Sequence, residues 1–442
     1  MSSSFVRQCI AAFGALSVTA CGSASTSALD TTDAGPDAAL PVVDADSAPD
    51  TKGVHIQVVN AQTGLPVREA TVVADGRMGT TDAAGEVTMA AGSVARLEVQ
   101  ANGFVPTTWI SAPGRELLVR LAPAATPATQ GQRLRGSLKA LETLEAPDPD
   151  HVWQAHIFHT FALDLAGVGD GLKPRANETA TCVRGETDTG ACSFEIETHP
   201  GPQIVYALLT DVDTRGTEQL DDDVAAPVGI AVSSLIDVAP DSTTADITLT
   251  PISSAALQAA KVALVESPLG ASAFVVGIPG VRLKEGGGVM LFPTESGEVL
   301  LPPRADAVGE AAYWLVAETS ITEAGGDRVR LRSVRRELEP DDFVLGAWPP
   351  ILEAPTRDGR LLKLAAASFA TLYTLRLRDA QGAPVRDALL VGADTIELSQ
   401  QDLSASTTVE VTAIGAELPA DVFDVQAVRQ KVFSEASRAS EL

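Results

Sequence analysis

The chain has 442 residues, 45% of them apolar and 4% aromatic, with 32 Lys and Arg against 58 Asp and Glu for a formal net charge of −26. That length exceeds what one hydrophobic core serves and predicts roughly three domains. Such acidity repels polyphosphate and argues against nucleic acid as a partner, and by itself it selects no other.

At the start, one cation, Arg7, precedes the modest apolar run Ile10-Ala11-Ala12-Phe13-Gly14-Ala15-Leu16, and Val18-Thr19-Ala20-Cys21 follows. The run falls short of the about 20 apolar residues a membrane-crossing helix needs, and small residues ahead of a cut are signal-peptide anatomy. Val18-Thr19-Ala20-Cys21 resembles a lipobox, the cleavage and lipidation signal of bacterial lipoproteins. The resemblance implies loss of residues 1–20, a diacylglycerol on the Cys21 thiol and a membrane as the partner of that anchor; an ordinary secretory cut is the alternative. Gly22, in place of an aspartate, favours the outer membrane, with the periplasmic or surface side left open.

Residues 21–52 then spread Asp30, Asp33, Asp37, Asp44, Asp46 and Asp50 among Pro36, Pro41 and Pro49, with Lys52 as the lone cation. Too little apolar surface is present to offset chain entropy, so this segment reads as a disordered acidic tether. Its contour reaches on the order of 100 Å at about 3.3 Å per residue, enough to hold a folded body clear of a membrane.

From residue 53 to 123 the pattern changes to short alternating stretches, Ile56-Gln57-Val58, Val87-Thr88-Met89, Leu97-Glu98-Val99 and Leu117 to Leu121, which predict strands. Thr63-Gly64-Leu65-Pro66-Val67, Thr81-Asp82-Ala83-Ala84-Gly85 and Ala101-Asn102-Gly103-Phe104 lie between them, with turn residues at each and Phe104 expected in the core. In this order the landmarks resemble the carboxypeptidase regulatory-like module. That resemblance implies a β-sandwich of transthyretin type.

After a Pro/Ala/Thr linker, residues 131–251 read as a β-rich domain holding Cys182 and Cys192, whose polar, glycine-containing spacing suits a hairpin loop closed by a disulfide. Two thiolates with His199 as the one nearby histidine fall short of a zinc ligand set. Residues 252–350 form another β-rich domain, opened by Ser253 to Lys261, whose composition suits one short helix. In residues 351–442, Asp379 to Ala388 echoes Asn60 to Ala70, a turn between apolar strands, and predicts a sandwich-like domain that partly repeats the first. The fold class expected is therefore all-β, several sandwich-like domains of Ig or transthyretin type in series behind a disordered tether.

Chemistry is sparse in this sequence. No His-Glu-x-x-His and no Gly-x-Ser-x-Gly occurs, so neither a metallopeptidase helix nor a nucleophile elbow is present. In a strand, His151 and His159 would face one way and His156 the other. Asp211, Asp213 and Asp222, with Gly216, take the first, third, twelfth and sixth places of a calcium loop, although Arg215 stands where an oxygen ligand belongs. Calcium at these aspartates is the one cofactor candidate; otherwise no cofactor is predicted, and a solvated acidic turn is the favoured reading. Function is read as non-catalytic display in the cell envelope, binding an envelope or extracellular protein or a glycan. The alternatives are a hydrolase with paired acids in the middle region and a structural spacer of an envelope assembly.

Overall fold

A computed structural model of the chain describes residues 53–61, 64–90, 93–124, 132–138, 148–161, 179–184, 192–198, 201–217, 224–239, 242–282, 288–291, 294, 297–302, 312–419, 422–425, 428 and 432–442. The leader, Cys21, the tether, most of the Pro/Ala/Thr linker and Asp222 lie outside them. The regular elements among the described residues are almost all strands and build an all-β, sandwich-like, multidomain fold, as the alternating pattern predicts.

In the first sandwich, Val54–Asn60 runs parallel to Glu116–Leu121 and antiparallel to Glu86–Met89. Facing this layer, Thr71–Ala74 lies between Arg77–Thr80 and Val94–Gln100, and Thr107–Ala112 follows. Ile56 and Val58 from one layer and Val72, Leu97 and Trp109 from the other share one core, which is how period-two apolar residues are buried between two sheets. The turn after Thr80 is held by Asp82, whose Oδ1 accepts from Ala84 N at 2.8 Å and Glu86 N at 2.9 Å. Phe104 is only half-buried against this core, and Val105 takes the buried place expected for it.

The first layer is completed from far along the chain. Val422–Asp424 adds to it parallel to Glu116–Leu121. Phe423 meets Trp109 edge-on with ring centroids 5.4 Å apart, and the Asp424 carboxylate takes both Nε and Nη2 of Arg120 at 2.9 Å. The second layer is likewise one end of a 12-stranded sheet. From the other end its order is Gly288–Met290, Phe274–Arg282, Ala312–Thr322, Arg328–Leu338, Val432–Glu441, Thr408–Ala416, Leu372–Arg378, Pro384–Val391, Thr107–Ala112, Val94–Gln100, Thr71–Ala74 and Arg77–Thr80. Residues 53–123, 252–350 and 351–442 therefore share one hydrogen-bonded sheet, so the segments separate in sequence are continuous in space.

Residues 132–251 form their own path of strands, from Ala180–Arg184 at one end through His151–Phe161, Gly201–Asp213, Val224–Val232, Thr243–Pro251 and Gln132–Leu138 to Ser193–Thr198 at the other. The path curls on itself around Leu134, Ile157, Ile196, Val205, Ala207 and Leu249. Cys182 and Cys192 are joined by a disulfide, Cα atoms 5.7 Å apart. Their strands are not a hairpin, contrary to expectation. Cys182 pairs opposite Ala155, and Ser193–Thr198 pairs with Gln132–Leu138, so the bridge fastens the two ends of the path rather than one loop. Sequence spacing constrains a disulfide to short reach but not the pairing of its strands, which long-range packing decides. The run Ile204 to Leu209 is apolar throughout because both its faces are covered: Val205 and Ala207 face this core, while Tyr206 and Leu208 face the next one with Tyr313 and Leu315.

Two further readings change. Ser253 to Lys261 is one turn of 3₁₀ helix, Ser254–Ala256, followed by the strand Gln258–Val262 paired with Gly297–Leu301; burial of Ala260 and Val262 at alternate positions overrides their alanine-rich helix propensity. The echoed turns at Gly64 and Gly382 both hold glycine at positive φ, +68° and +80°, yet they join their strands differently. Leu372–Arg378 and Pro384–Val391 pair directly as a hairpin, whereas Val54–Asn60 and Thr71–Ala74 lie in opposite layers.

Gly85 sits at φ +74°, and a Cβ there would lie 2.5 Å from the Val58 carbonyl oxygen; Gly64 has open space. Gly85→Ala is expected to lower unfolding free energy by about 2–3 kcal/mol and Gly64→Ala by about 1 kcal/mol, measured by urea titration. Equal losses would contradict the close approach at Gly85.

Candidate functional site

The large sheet is covered on both faces over part of its width and on one face elsewhere, and the partly uncovered stretch is where its polar side chains collect. On Leu372–Arg378, Tyr373, Leu375 and Leu377 are buried beneath Leu362, Leu364, Ile396 and Leu398. Those apolar residues come from around the small sheet of Thr356–Asp358, Leu361–Lys363 and Thr395–Glu397. The intervening Thr374, Arg376 and Arg378 therefore face the opposite way. Arg328–Leu338 follows the same rule, with Val329 and Leu331 fully buried and Arg328, Arg330 and Arg332 on the other face.

Register lines these residues up across strands. One row reads Thr322, Arg328, Ala439, Glu410, Arg376 and Asp387; the next reads Ser320, Arg330, Ser437, Thr412 and Thr374; the third reads Glu318, Arg332, Glu435 and then Ile414 and Leu372. The face turns apolar at Ile414, Leu372 and Leu389, which belong to the core of the first sandwich. What remains open is a groove of about 1180 Å³ with Phe274, 37% exposed, at one rim and Arg378 at the other.

Arg332 anchors the floor. It is 1% exposed, donating from Nη1 to Glu435 Oε2 at 2.9 Å and from Nη2 to Glu318 Oε2 at 2.7 Å. Burial works to lower its pKa, but the charges of Glu435 and Glu318 and their hydrogen bonds hold it above the ordinary arginine value. Arg376 forks onto Asp387 at 2.7 and 3.0 Å, and Arg378 reaches Glu410 at 3.4 Å. Planar, bidentate pairs of this kind fix side-chain direction and so fix the shape of the floor. Two carboxylates that face the groove, Glu318 and Glu410, are thus each held by an arginine.

The residues picked out in the sequence lie elsewhere. Asp211 and Asp213 share one face at the end of Gly201–Asp213, and Asp222 falls outside the described residues. Asp211 accepts from His151 Nδ1 at 2.9 Å, and Asp213 Oδ1 accepts from Arg215 N at 2.8 Å to form the turn. Among the described residues no group of three His, Cys, Asp or Glu is arranged to hold a metal ion. His151 and His159 fall on one face of His151–Phe161 and His156 on the other, opposite Thr181 and Leu208. The groove itself was not singled out from the sequence. Its signal was present in Arg328-Val329-Arg330-Leu331-Arg332 and Leu375-Arg376-Leu377-Arg378, cations alternating with apolar residues.

No family model matches the chain, and no curated protein matches it. Among solved structures, one described as a Ca²⁺-stabilized adhesin that helps an Antarctic bacterium reach out and bind ice aligns over 83% of this chain and 95% of that one, at 13% identity and a TM-score of 0.11. A superposition that poor transfers neither fold nor function.

Removing Arg332 strands two nearly buried carboxylates. Arg332→Met is expected to cost about 3–5 kcal/mol in urea unfolding, and a loss under about 1 kcal/mol would show that the triad is solvated. The histidines should titrate in opposite senses. Burial pushes His156 down to about 4, so both states are neutral above pH 6.5 and stability falls by on the order of 3 kcal/mol as pH drops from 6.5 to about 4. The hydrogen bond to Asp211 raises His151, whose contribution is complete below pH 6.5 and is lost as pH rises through its folded value. Imidazole NMR titration should resolve the two, and His156→Phe should abolish the acid-side loss.

Proposed function

We propose that the chain is a lipoprotein of the bacterial envelope, anchored through Cys21 with the outer membrane favoured, whose all-β body binds a partner on the outer side of a membrane without transforming it. The observation that carries this reading is the groove across the large sheet. It is concave and lined with hydrogen-bonding side chains set in fixed rows, and its shape is stiffened by the Arg332 triad and the Arg378–Glu410 pair. A stiff floor loses little entropy on binding, which is what a recognition surface requires. Glycoside hydrolysis would ask for a proton-donating carboxyl and a second carboxylate facing each other across the substrate; Glu318 and Glu410 instead neutralise arginines. The disulfide between Cys182 and Cys192 fits an oxidising compartment. The lipobox-like Val18-Thr19-Ala20-Cys21 and the acidic residues after it supply an anchor and a spacer, and the first sandwich serves as a carboxypeptidase regulatory-like module.

Cells producing the native chain should incorporate a palmitate analogue into it, and Cys21→Ser should abolish the label and release the chain from the membrane fraction. The released Cys21→Ser chain should then bind isolated envelopes saturably, and Thr322→Trp at the groove rim should remove that binding at an unchanged melting temperature. Persistent labelling of Cys21→Ser refutes the anchor; undiminished binding by Thr322→Trp refutes the groove as the binding face.

A further inference from the structure

Resting on the binding role above, we infer that the groove takes an acidic polysaccharide, one whose uronate carboxylates are separated by neutral sugars. Its floor crosses six neighbouring strands, from Phe274–Arg282 to Leu372–Arg378, or about 24 Å at roughly 4.8 Å between strands. That length suits an extended polymer better than a small molecule. The groove lies on the face of the sheet, where side chains rather than backbone groups are offered; an extended peptide would be gripped by backbone pairing at a sheet edge.

The charges define the ligand further. Arg332 and Arg378 are consumed by Glu318, Glu435 and Glu410, and Asp327 at the rim is held by Arg438. Arg328 has no ion pair among the described residues, and Arg330 makes a hydrogen bond to Ser437 Oγ at 3.3 Å that leaves its Nη groups to donate. These two guanidinium groups stand two residues apart on one face of one strand, about 6.6 Å between Cα atoms, flanked by the hydroxyls of Ser320, Thr322 and Ser437. Guanidinium forks select carboxylates, and hydroxyls on either side exchange hydrogen bonds with sugar hydroxyls. A densely charged polyanion is disfavoured, because Glu441 lies diagonally from Arg328 on the next strand and the chain carries −26 overall. One carboxylate at the arginine pair with neutral hydroxylated units beside it satisfies both demands.

The test is calorimetric titration of the full Cys21→Ser chain with hyaluronate, in which uronates alternate with neutral sugars, with the same polymer after carboxyl reduction, and with poly-L-glutamate. Hyaluronate should bind, the carboxyl-reduced polymer about tenfold more weakly or worse, and the double variant Arg328→Gln/Arg330→Gln should lose a similar factor at an unchanged melting temperature. Arg328→Lys/Arg330→Lys, which keeps charge but not the fork, should fall between, and Arg68→Gln on the first sandwich should change nothing. Equal affinity for the two forms of hyaluronate, or full affinity in the double glutamine variant, overturns the inference. Binding of poly-L-glutamate alone also overturns it, making the groove an acidic-peptide site. If no polymer binds yet Thr322→Trp still loses envelope binding, the ligand class is wrong and the binding role stands; if Thr322→Trp also keeps envelope binding, both fall.

Discussion

Pairing of Val432–Glu441 with Arg328–Leu338 on one side and with Thr408–Ala416 on the other joins the two halves of the large sheet. Every backbone donor and acceptor buried in those neighbours needs a partner, and an unmade one costs far more than a made one contributes. The central strand is therefore the condition on which the cores to either side rest. Ala436, paired opposite Leu331, places it in the core beneath the sheet, while Val432 places it in the core of the first sandwich. Removing it would separate the Phe274–Arg282 side of the sheet from the Thr107–Ala112 side and leave two long edges exposed.

The same strand sets the polar floor. Glu435 lies between Arg332 of one neighbour and Ile414 of the other, and Ser437 between Arg330 and Thr412, so the groove exists only where the halves meet. Burial of a complete Glu318–Arg332–Glu435 triad is a weak source of net stability compared with apolar packing. Its value lies in register, since a one-residue slip of Val432–Glu441 would turn Glu435 away from Arg332 and bring Ala436 into its place.

Much of the local structure was legible and little of the long-range arrangement was. Alternation at Ile56-Gln57-Val58 or Leu97-Glu98-Val99 reports a half-buried strand directly, because the side-chain period of a strand is two. Asp82 and Gly85 announced their turn through the same hydrogen bonds and positive φ that now hold it. Ser399 with Asp402 caps the short α-helix Gln400–Ala405. That helix is hard to see in advance, since six residues carry too little helical periodicity. What no local signal encodes is which strand lies beside which. The sharing of one sheet by residues 53–123, 252–350 and 351–442 and the disulfide between the ends of a path rather than within a hairpin follow from packing distributed over hundreds of residues. The groove shares that fate: its arginine alternation was visible, but Ser437, the hydroxyl on the far side of Arg330, comes from a strand about 100 residues away in sequence.

A ribosome makes residues 432–441 after every other strand of the large sheet, yet they lie near its middle. The nascent chain must keep Arg328–Leu338 and Thr408–Ala416 from annealing to each other, or to a neighbouring molecule, until the final ten-residue strand arrives. Stop codons or ragged ends in that stretch would then not trim a margin but leave an unfinished body whose open edges invite chaperones, proteases or aggregation.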